Sequence, residues 1–230
     1  MDDALHRLLK SVDTPTICNA IEVAQGQRGF NGFTRGTMLA SDADGVMVGH
    51  ARTARIRAVA PPTEAADVIK ARRMAYYKYM SEGARPAVCV VQDLDVPGAV
   101  GAYWGEVNTN IHKAFDIAGT LTDGVMRDLG DVAKGYPVVA GSIGPSHGYV
   151  HVVDYDAPVR VFGLDIHPGD LVHADRHGAV VIPDDVVSSL SAAIKTLTMS
   201  EDIIFSTVKG KKISFDEFQT VWAAFEEART

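Results

Sequence analysis

Apolar positions fall at helical spacing from Asp2 to about Gly26, and Asp13-Thr14-Pro15 interrupts them. An N-cap aspartate followed by proline in the first turn divides this stretch into two short helices. The period then changes. Gly45 to Val59 (GVMVGHARTARIRAV) alternates apolar with polar or charged side chains and predicts one or two strands. Pro62 opens a helix that runs to about Glu82 and ends at Gly83, and Ala87–Leu94 reads as a strand. After a glycine-rich loop (VPGAVGAYWG), Val107, Ile111, Ala114, Phe115 and Ala118 predict a helix from about Gly105 to Ala118. A short strand near Gly119–Thr122, a turn at Asp123-Gly124 and a helix or helical turn carrying Arg127 and Asp128 come next. Val138 to Pro183 breaks into short strands between Gly, Pro and Asp turns, and the remainder reads as helices broken at Gly210. This order predicts a mixed α/β fold without a regular βαβ repeat. No internal repeat or low-complexity linker divides the chain, so residues 1–230 read as one domain with a helical extension from about 184 to 230.

Composition narrows the function classes. A formal net charge of −7 argues against a nucleic-acid partner, because a phosphate-binding surface needs a basic excess. It leaves room for a small anionic substrate, since one local arginine outweighs a distant, screened average. The basic stretch KARRMAYYKYM reads as a solvated helix face with tyrosines packed at its edge. Cys18 and Cys89 sit among apolar neighbours and read as reduced core thiols, with no CxxC pattern. The N-terminus lacks the apolar core of a signal peptide, and no apolar run approaches the ~18 residues that cross a bilayer. The expectation is a cytoplasmic protein without a membrane partner.

The stretch GEVNTNIHKAFDIAGTLTDGVMRD, residues 105–128, carries the most chemistry. Two strand-loop-helix transitions are expected here, each presenting free backbone N–H groups that suit a carboxylate. Arg127 adds a planar, bidentate donor for the same anion. Asp128 offers a hard oxygen ligand to Mg²⁺ or Mn²⁺, and magnesium keeps most of its waters and needs only one or two protein carboxylates.

Glu106, followed after twenty residues by Arg127-Asp128 with Asp123-Gly124 just before the pair, resembles the RraA-like superfamily. Its enzymes include 4-hydroxy-4-methyl-2-oxoglutarate / 4-carboxy-4-hydroxy-2-oxoadipate aldolases. WGE at Trp104–Glu106, TDGVMRD at Thr122–Asp128 and PGDLVHADRHGAVVIP at Pro168–Pro183 follow the family's order, and the likeness runs from about Thr14 to Pro183. The resemblance implies a layered β/β/α fold akin to the swivelling phosphohistidine domain, and trimers or hexamers with sites at subunit interfaces. It implies a class II lyase that cleaves a 4-hydroxy-2-oxo acid to release pyruvate, with oxaloacetate decarboxylation as a side activity. Asp128 would then be the metal ligand, and Arg127 would grip the 2-oxo acid and steady the developing enolate. Backbone amides around Gly105, Glu106 and Val107 would hold the pyruvyl carboxylate, and Glu106 would work through water as base and then acid. One position departs from the family pattern: Ala102 stands where a glycine is expected, beside Gly101. The resemblance also carries a rival, a non-catalytic regulator that binds a ribonuclease, although that branch tends to lose the carboxylate after the motif arginine.

Three further features stay open at this level. His173, Asp175 and His177 would share one face of a straight strand and could hold a transition metal. A tight turn at Asp175–Gly178 would instead splay them, and a structural hairpin is the better reading. His147 lies in the glycine-rich GPSHGYV and reads as a loop histidine, with substrate contact as the alternative. Glu201, at the expected start of a C-terminal helix, reads first as an N-cap. The resemblance offers a second role, an acid reaching a neighbouring subunit's site.

Overall fold

A computed structural model describes residues 1–229. The chain opens with α1 (Asp3–Lys10) and α2 (Thr14–Gln25), followed by β1 (Leu39–Ala40), β2 (Met47–Arg57), α3 (Ala66–Ser81) and β3 (Ala87–Asp93). The central stretch holds β4 (Ala102–Trp104), α4 (Glu106–Ala114), β5 (Ile117–Thr122), β6 (Val125–Met126), β7 (Val138–Ala140) and β8 (Ser142–Ile143). Then come β9 (His151–Tyr155), β10 (Val159–Val161), β11 (Leu164–Ile166), β12 (Leu171–Asp175) and β13 (Gly178–Ile182), before α5 (Leu190–Val208) and α6 (Phe215–Arg229).

The main sheet runs β1-β7-β5-β3-β2-β12-β13, with β2, β3, β5 and β7 mutually parallel. Its backbone is the long strand β2. One edge of β2 pairs with β3 from His50 to Ile56, whereas the other divides, its first part pairing with β12 and its last with β9. The sheet curls where those two partners diverge. β3 reads AVCVV because both its faces are covered, as parallel strands require. Cys89 and Val91 pack against α3 and β4 with Tyr76, Met80 and Trp104, while Val88 and Val90 pack beneath the β10–β11 hairpin with Val161 and Ile166. A third core joins α1, α2 and α5 to β12 and β13 through Leu9, Ile17, Ile21, Leu190 and Ile194. The outcome is the mixed, layered α/β architecture expected from the element order. No helix among the described residues is long and apolar enough to cross a membrane.

Local chemistry explains most boundaries. Asp13 caps α2 by accepting the Thr16 N–H at 2.9 Å, and Gly26 closes that helix in a left-handed conformation. The helix expected from Pro62 starts later, at Ala66, because two consecutive prolines hold the approach extended. Helix α4 ends at Ala114, short of Ala118, because Asp116 is left-handed (φ 58°) and Ile117 already begins β5. Its first apolar residue, Val107, is 64% exposed and faces out of the core. On α3 the tyrosines go deeper than an edge: Tyr76 is fully buried and its hydroxyl lies 2.6 Å from Nε2 of the buried His112. Burial pulls the His112 imidazole down to about 4. Both cysteines are free, and burial pushes Cys89 up to about 12 and Cys18 to about 11, which leaves them inert thiols.

The β12–β13 hairpin decides the His173, Asp175 and His177 question. His173 is fully buried, with Nδ1 3.0 Å from Thr14 Oγ1 and Nε2 3.0 Å from the Leu9 carbonyl. Asp175 accepts the N–H groups of Thr14 (2.9 Å) and His177 (2.8 Å). These residues pin the α1–α2 corner to the sheet, so the structural hairpin is the role they perform. Glu201 also moves from its expected place. It lies well inside α5, which begins at Leu190, so it caps nothing.

Candidate active site

Three short parallel strands, β4, β6 and β8, form a platform at the carboxyl end of the main sheet, and the Arg127-Asp128 pair leaves it from β6. The pair is not helical. Met126 is the last strand residue, and the Arg127 N–H donates to the Trp104 carbonyl at 2.8 Å, continuing the β4–β6 register. Asp128 then adopts φ 54°, a left-handed conformation that Asp tolerates better than most residues. Its carbonyl accepts the N–H groups of Asp131 (2.8 Å) and Val132 (3.0 Å), so the chain turns sharply and the carboxylate points back towards β4. Of the two expected strand-loop-helix transitions, only the one at Gly105 exists.

That transition is where the expected residues meet. Gly105 is the N-cap of α4, and the Glu106 N–H donates to Asp128 Oδ2 at 3.2 Å. Arg127 Nε lies 3.6 Å from the same oxygen, and both side chains are about one-third exposed. A Cβ on Gly105 would overlap Asp128 Oδ2 and come within 3.0 Å of Arg127 Cγ, so only glycine lets this backbone pass beneath the pair. Thr109, fully buried one turn into α4, donates to the Gly105 carbonyl at 2.8 Å and accepts the Ala133 N–H at 3.0 Å. The helix start and the loop after Asp128 are thereby locked together. Glu106 is exposed, and among the described residues its carboxylate has no hydrogen-bond or ion-pair partner. Ala102, where the family pattern expects glycine, is buried in β4, and its N–H donates to the Ser146 carbonyl at 2.9 Å.

A cavity of about 400 Å³ opens beside this junction, lined by Arg127, Tyr103, Val107, Asn108, His147 and one face of α3. His147 therefore faces the cleft. Sequence reasoning missed the α3 wall (Ile69, Arg73, Tyr77) and His151. The signal existed, because residues 69, 73 and 77 recur every four positions, but the basic stretch was read as solvated surface. Glu106 and Asp128 border the cavity without forming its wall.

Below the junction lies a second pair of acids. Asp93, at the end of β3, is 1% exposed, and its Oδ2 lacks a hydrogen-bond partner among the described residues. The Asp93 N–H donates to Asp123 Oδ1 at 2.7 Å. Burial, with the neighbouring Asp93 charge adding to it, raises the Asp123 carboxyl to about 6. Because the folded value is above that of the unfolded chain, folding favours the protonated form. The associated stability is fully present below about pH 4 and is lost as pH rises through 6. Asp123→Asn keeps an acceptor for the Asp93 N–H and removes the charge. It should therefore stabilise the fold by about 1–2 kcal/mol at pH 7.5, after discounting for partial exposure, and by nothing at pH 3.5. Urea unfolding of both proteins across that range checks this, and an unchanged or negative difference at pH 7.5 would contradict it.

The chain is similar to known proteins over most of its length. A family model described as RraA-like, Aldolase/RraA, matches residues 14–181. Over 128 residues the chain is 28% identical to a protein of Halalkalibacterium halodurans provisionally named a 4-hydroxy-4-methyl-2-oxoglutarate aldolase, covering 54% of this chain and 60% of that one. It is also 28% identical over 108 residues to protein DlpA of Legionella pneumophila, covering 46% of this chain but 18% of that protein. The chain thus spans less than two thirds of the length of the curated relatives it matches. Among solved structures, Streptomyces coelicolor RraAS2, described as an unusual member of the RNase ES inhibitor RraA protein family, superposes with a TM-score of 0.64 at 25% identity. That match covers 92% of this chain and 98% of RraAS2.

Proposed function

Since the chain belongs to the RraA-like family, we propose that the Gly105–Asp128 junction is the active site of a divalent-metal-dependent lyase that releases pyruvate from a 4-hydroxy-2-oxo acid. The observation that carries this reading is the convergence of Arg127 and the Asp128 carboxylate on the N-terminus of α4. The relative provisionally named as an aldolase supports the reaction class.

The donors fit a hard cation. Among the described residues no cluster of three or more His, Cys, Asp or Glu could hold a metal, which speaks against a closed zinc-type site. A single carboxylate suits Mg²⁺ or Mn²⁺, which retain most of their waters. Asp128 would hold the ion, and one of its oxygens is positioned by the Glu106 N–H. When bound, such an ion supplies Lewis-acid polarisation of the 2-oxo group.

The chain's own groups do the rest. Backbone N–H groups at Gly105 and Val107, at the positive end of α4, would receive the substrate carboxylate, with the Glu106 N–H shared between it and the Asp128 oxygen it already holds. Arg127 would donate to the 2-oxo oxygen, where negative charge grows as the C3–C4 bond breaks. Glu106 would accept the C4 hydroxyl proton through a water, the C3–C4 electron pair moves towards the 2-oxo group, and the proton returns to C3 to complete pyruvate. Loss of CO₂ from oxaloacetate places the same charge on the same oxygen, so decarboxylation should accompany the aldol cleavage. Glu201, on α5, would serve a neighbouring subunit's site in a trimer or hexamer.

Pyruvate release from 4-hydroxy-2-oxo acids should stop with EDTA and return on adding Mg²⁺ or Mn²⁺, read by coupling to lactate dehydrogenase. Turnover that persists after exhaustive chelation would sink the metal assignment. The likeness to RraAS2 favours a second reading, a regulator that binds a ribonuclease. Calorimetry separates the two: no Mg²⁺ or Mn²⁺ uptake together with tight ribonuclease binding would select the regulator.

A further inference from the structure

The N–H groups proposed to receive a carboxylate belong to the start of α4, and Gly105 gives that turn no side-chain cap. Thr109 ties one side of it to the loop after Asp128, through the Gly105 carbonyl and the Ala133 N–H. The side towards the cavity is held by Asn108, which lines the cavity together with Tyr77 and Tyr103. Asn108 Nδ2 donates to the Tyr103 carbonyl at 2.7 Å, and Oδ1 accepts the Tyr77 hydroxyl at 2.7 Å. A carbonyl only accepts, so the Tyr103 bond fixes which way the amide faces, and Tyr77 must be the donor to Oδ1. One turn further on, His112 Nδ1 lies 2.7 Å from the Asn108 carbonyl and Nε2 lies 2.6 Å from the Tyr76 hydroxyl. By the same reasoning Nδ1 carries the proton and Tyr76 donates to Nε2. Two adjacent tyrosines of α3 therefore each donate one hydrogen bond into α4, Tyr76 in the core and Tyr77 at the cavity.

We propose that Tyr77 is a positioning residue: through Asn108 it holds the first turn of α4 against β4, and so sets where the Gly105 and Val107 N–H groups meet the substrate. This rests on the lyase reading only in taking the carboxylate of a 2-oxo acid as the anion received there. Tyr77 is half-buried and its ring packs against His112 and Phe115, so removing the hydroxyl keeps the ring contacts. What disappears is one of the two anchors of the Asn108 amide. An amide with a single anchor rotates more freely, and the turn gains motion that carboxylate binding must then remove. A contact made equally in the bound and the reacting state affects KM more than kcat. Tyr76 supplies the contrast, because it is fully buried and serves a histidine that does not line the cavity.

Tyr77→Phe and Tyr76→Phe in the full chain test this. Amide hydrogen exchange at Thr109, whose N–H donates to the Gly105 carbonyl at 3.0 Å, reports opening of the α4 start. Titration calorimetry with Mg²⁺ present reports the affinity for pyruvate. Tyr77→Phe should speed that exchange and weaken pyruvate binding about three- to tenfold, the loss of one hydrogen bond. KM for the cleaved 2-oxo acid should rise by a similar factor, while kcat changes by less than about twofold. Tyr76→Phe should do the reverse: it leaves a buried histidine nitrogen without its donor, so the melting temperature falls while pyruvate affinity stays within about twofold. Unchanged Thr109 exchange in Tyr77→Phe, or unchanged pyruvate affinity despite faster exchange, would each overturn the assignment. So would an equal loss of affinity in both variants, which a purely structural role predicts. If the wild type fails to bind pyruvate while Tyr77→Phe still speeds exchange, the lyase reading falls and the clamp on α4 stands.

Discussion

Replacing Asp128 with asparagine is expected to lower kcat/KM for metal-dependent pyruvate release by about three orders of magnitude, roughly 4 kcal/mol of transition-state stabilisation, without unfolding the protein. The choice of asparagine follows from the backbone. Asp128 is left-handed, and Asn tolerates that conformation, whereas alanine would add strain of about 1 kcal/mol or more. Asparagine can also accept the Glu106 N–H now held by Oδ2, so the start of α4 keeps its partner. What disappears is the negative charge. That loss removes the hard anionic donor proposed for the cation, and it leaves the neighbouring Arg127 without its 3.6 Å counter-charge. Affinity for Mg²⁺, read by calorimetry, should therefore collapse along with turnover, while the urea midpoint moves little. Wild-type, metal-dependent turnover in Asp128→Asn would show that the metal is held elsewhere.

The legibility of this chain in its sequence tracks the range over which each feature is determined. The strands β2 and β3 were plain because alternation and a continuous apolar run are local records of which faces are covered. The division of β2 between β12 and β9 was not, since it depends on partners about a hundred residues away. Arg127-Asp128 was read as helical because β6 is two residues long, too short for any period to register. Its strand character comes from pairing with β4 and β8, which themselves are short. Glu201 was misplaced for a related reason. Ser189 precedes α5 without making a side-chain cap, so the first visible helix-start signal was the acidic pair in the middle of the helix. The glycine-rich approach and the helix beginning at Glu106 were legible, and they are what brings the candidate residues together.

Gly105 shows how closely that junction is built, and its substitution is the second large effect expected. Gly105→Ala should cut kcat/KM by about a hundredfold or more while costing little in global stability, because the new methyl enters the site and not the core. The clash is specific: the added Cβ would overlap Asp128 Oδ2 and lie 3.0 and 3.2 Å from Arg127 Cγ and Nε. Neither neighbour is free to yield without consequence. Arg127 is anchored through its N–H to Trp104, and Asp128 through its carbonyl to Asp131 and Val132, so the side chains must swing away from the α4 N-terminus. Helix α4 cannot retreat either, since Thr109 ties the Gly105 carbonyl to the Ala133 N–H. The methyl should therefore separate the carboxylate from the Glu106 N–H and pull apart the groups proposed to receive substrate and cation, and displacements near 1 Å at such positions cost about two orders of magnitude. Thermal melts paired with steady-state kinetics check the outcome. A variant that folds like the wild type and turns over at a comparable rate would remove the Gly105–Asp128 contact from the mechanism, and with it the geometric basis for placing the chemistry at this helix start.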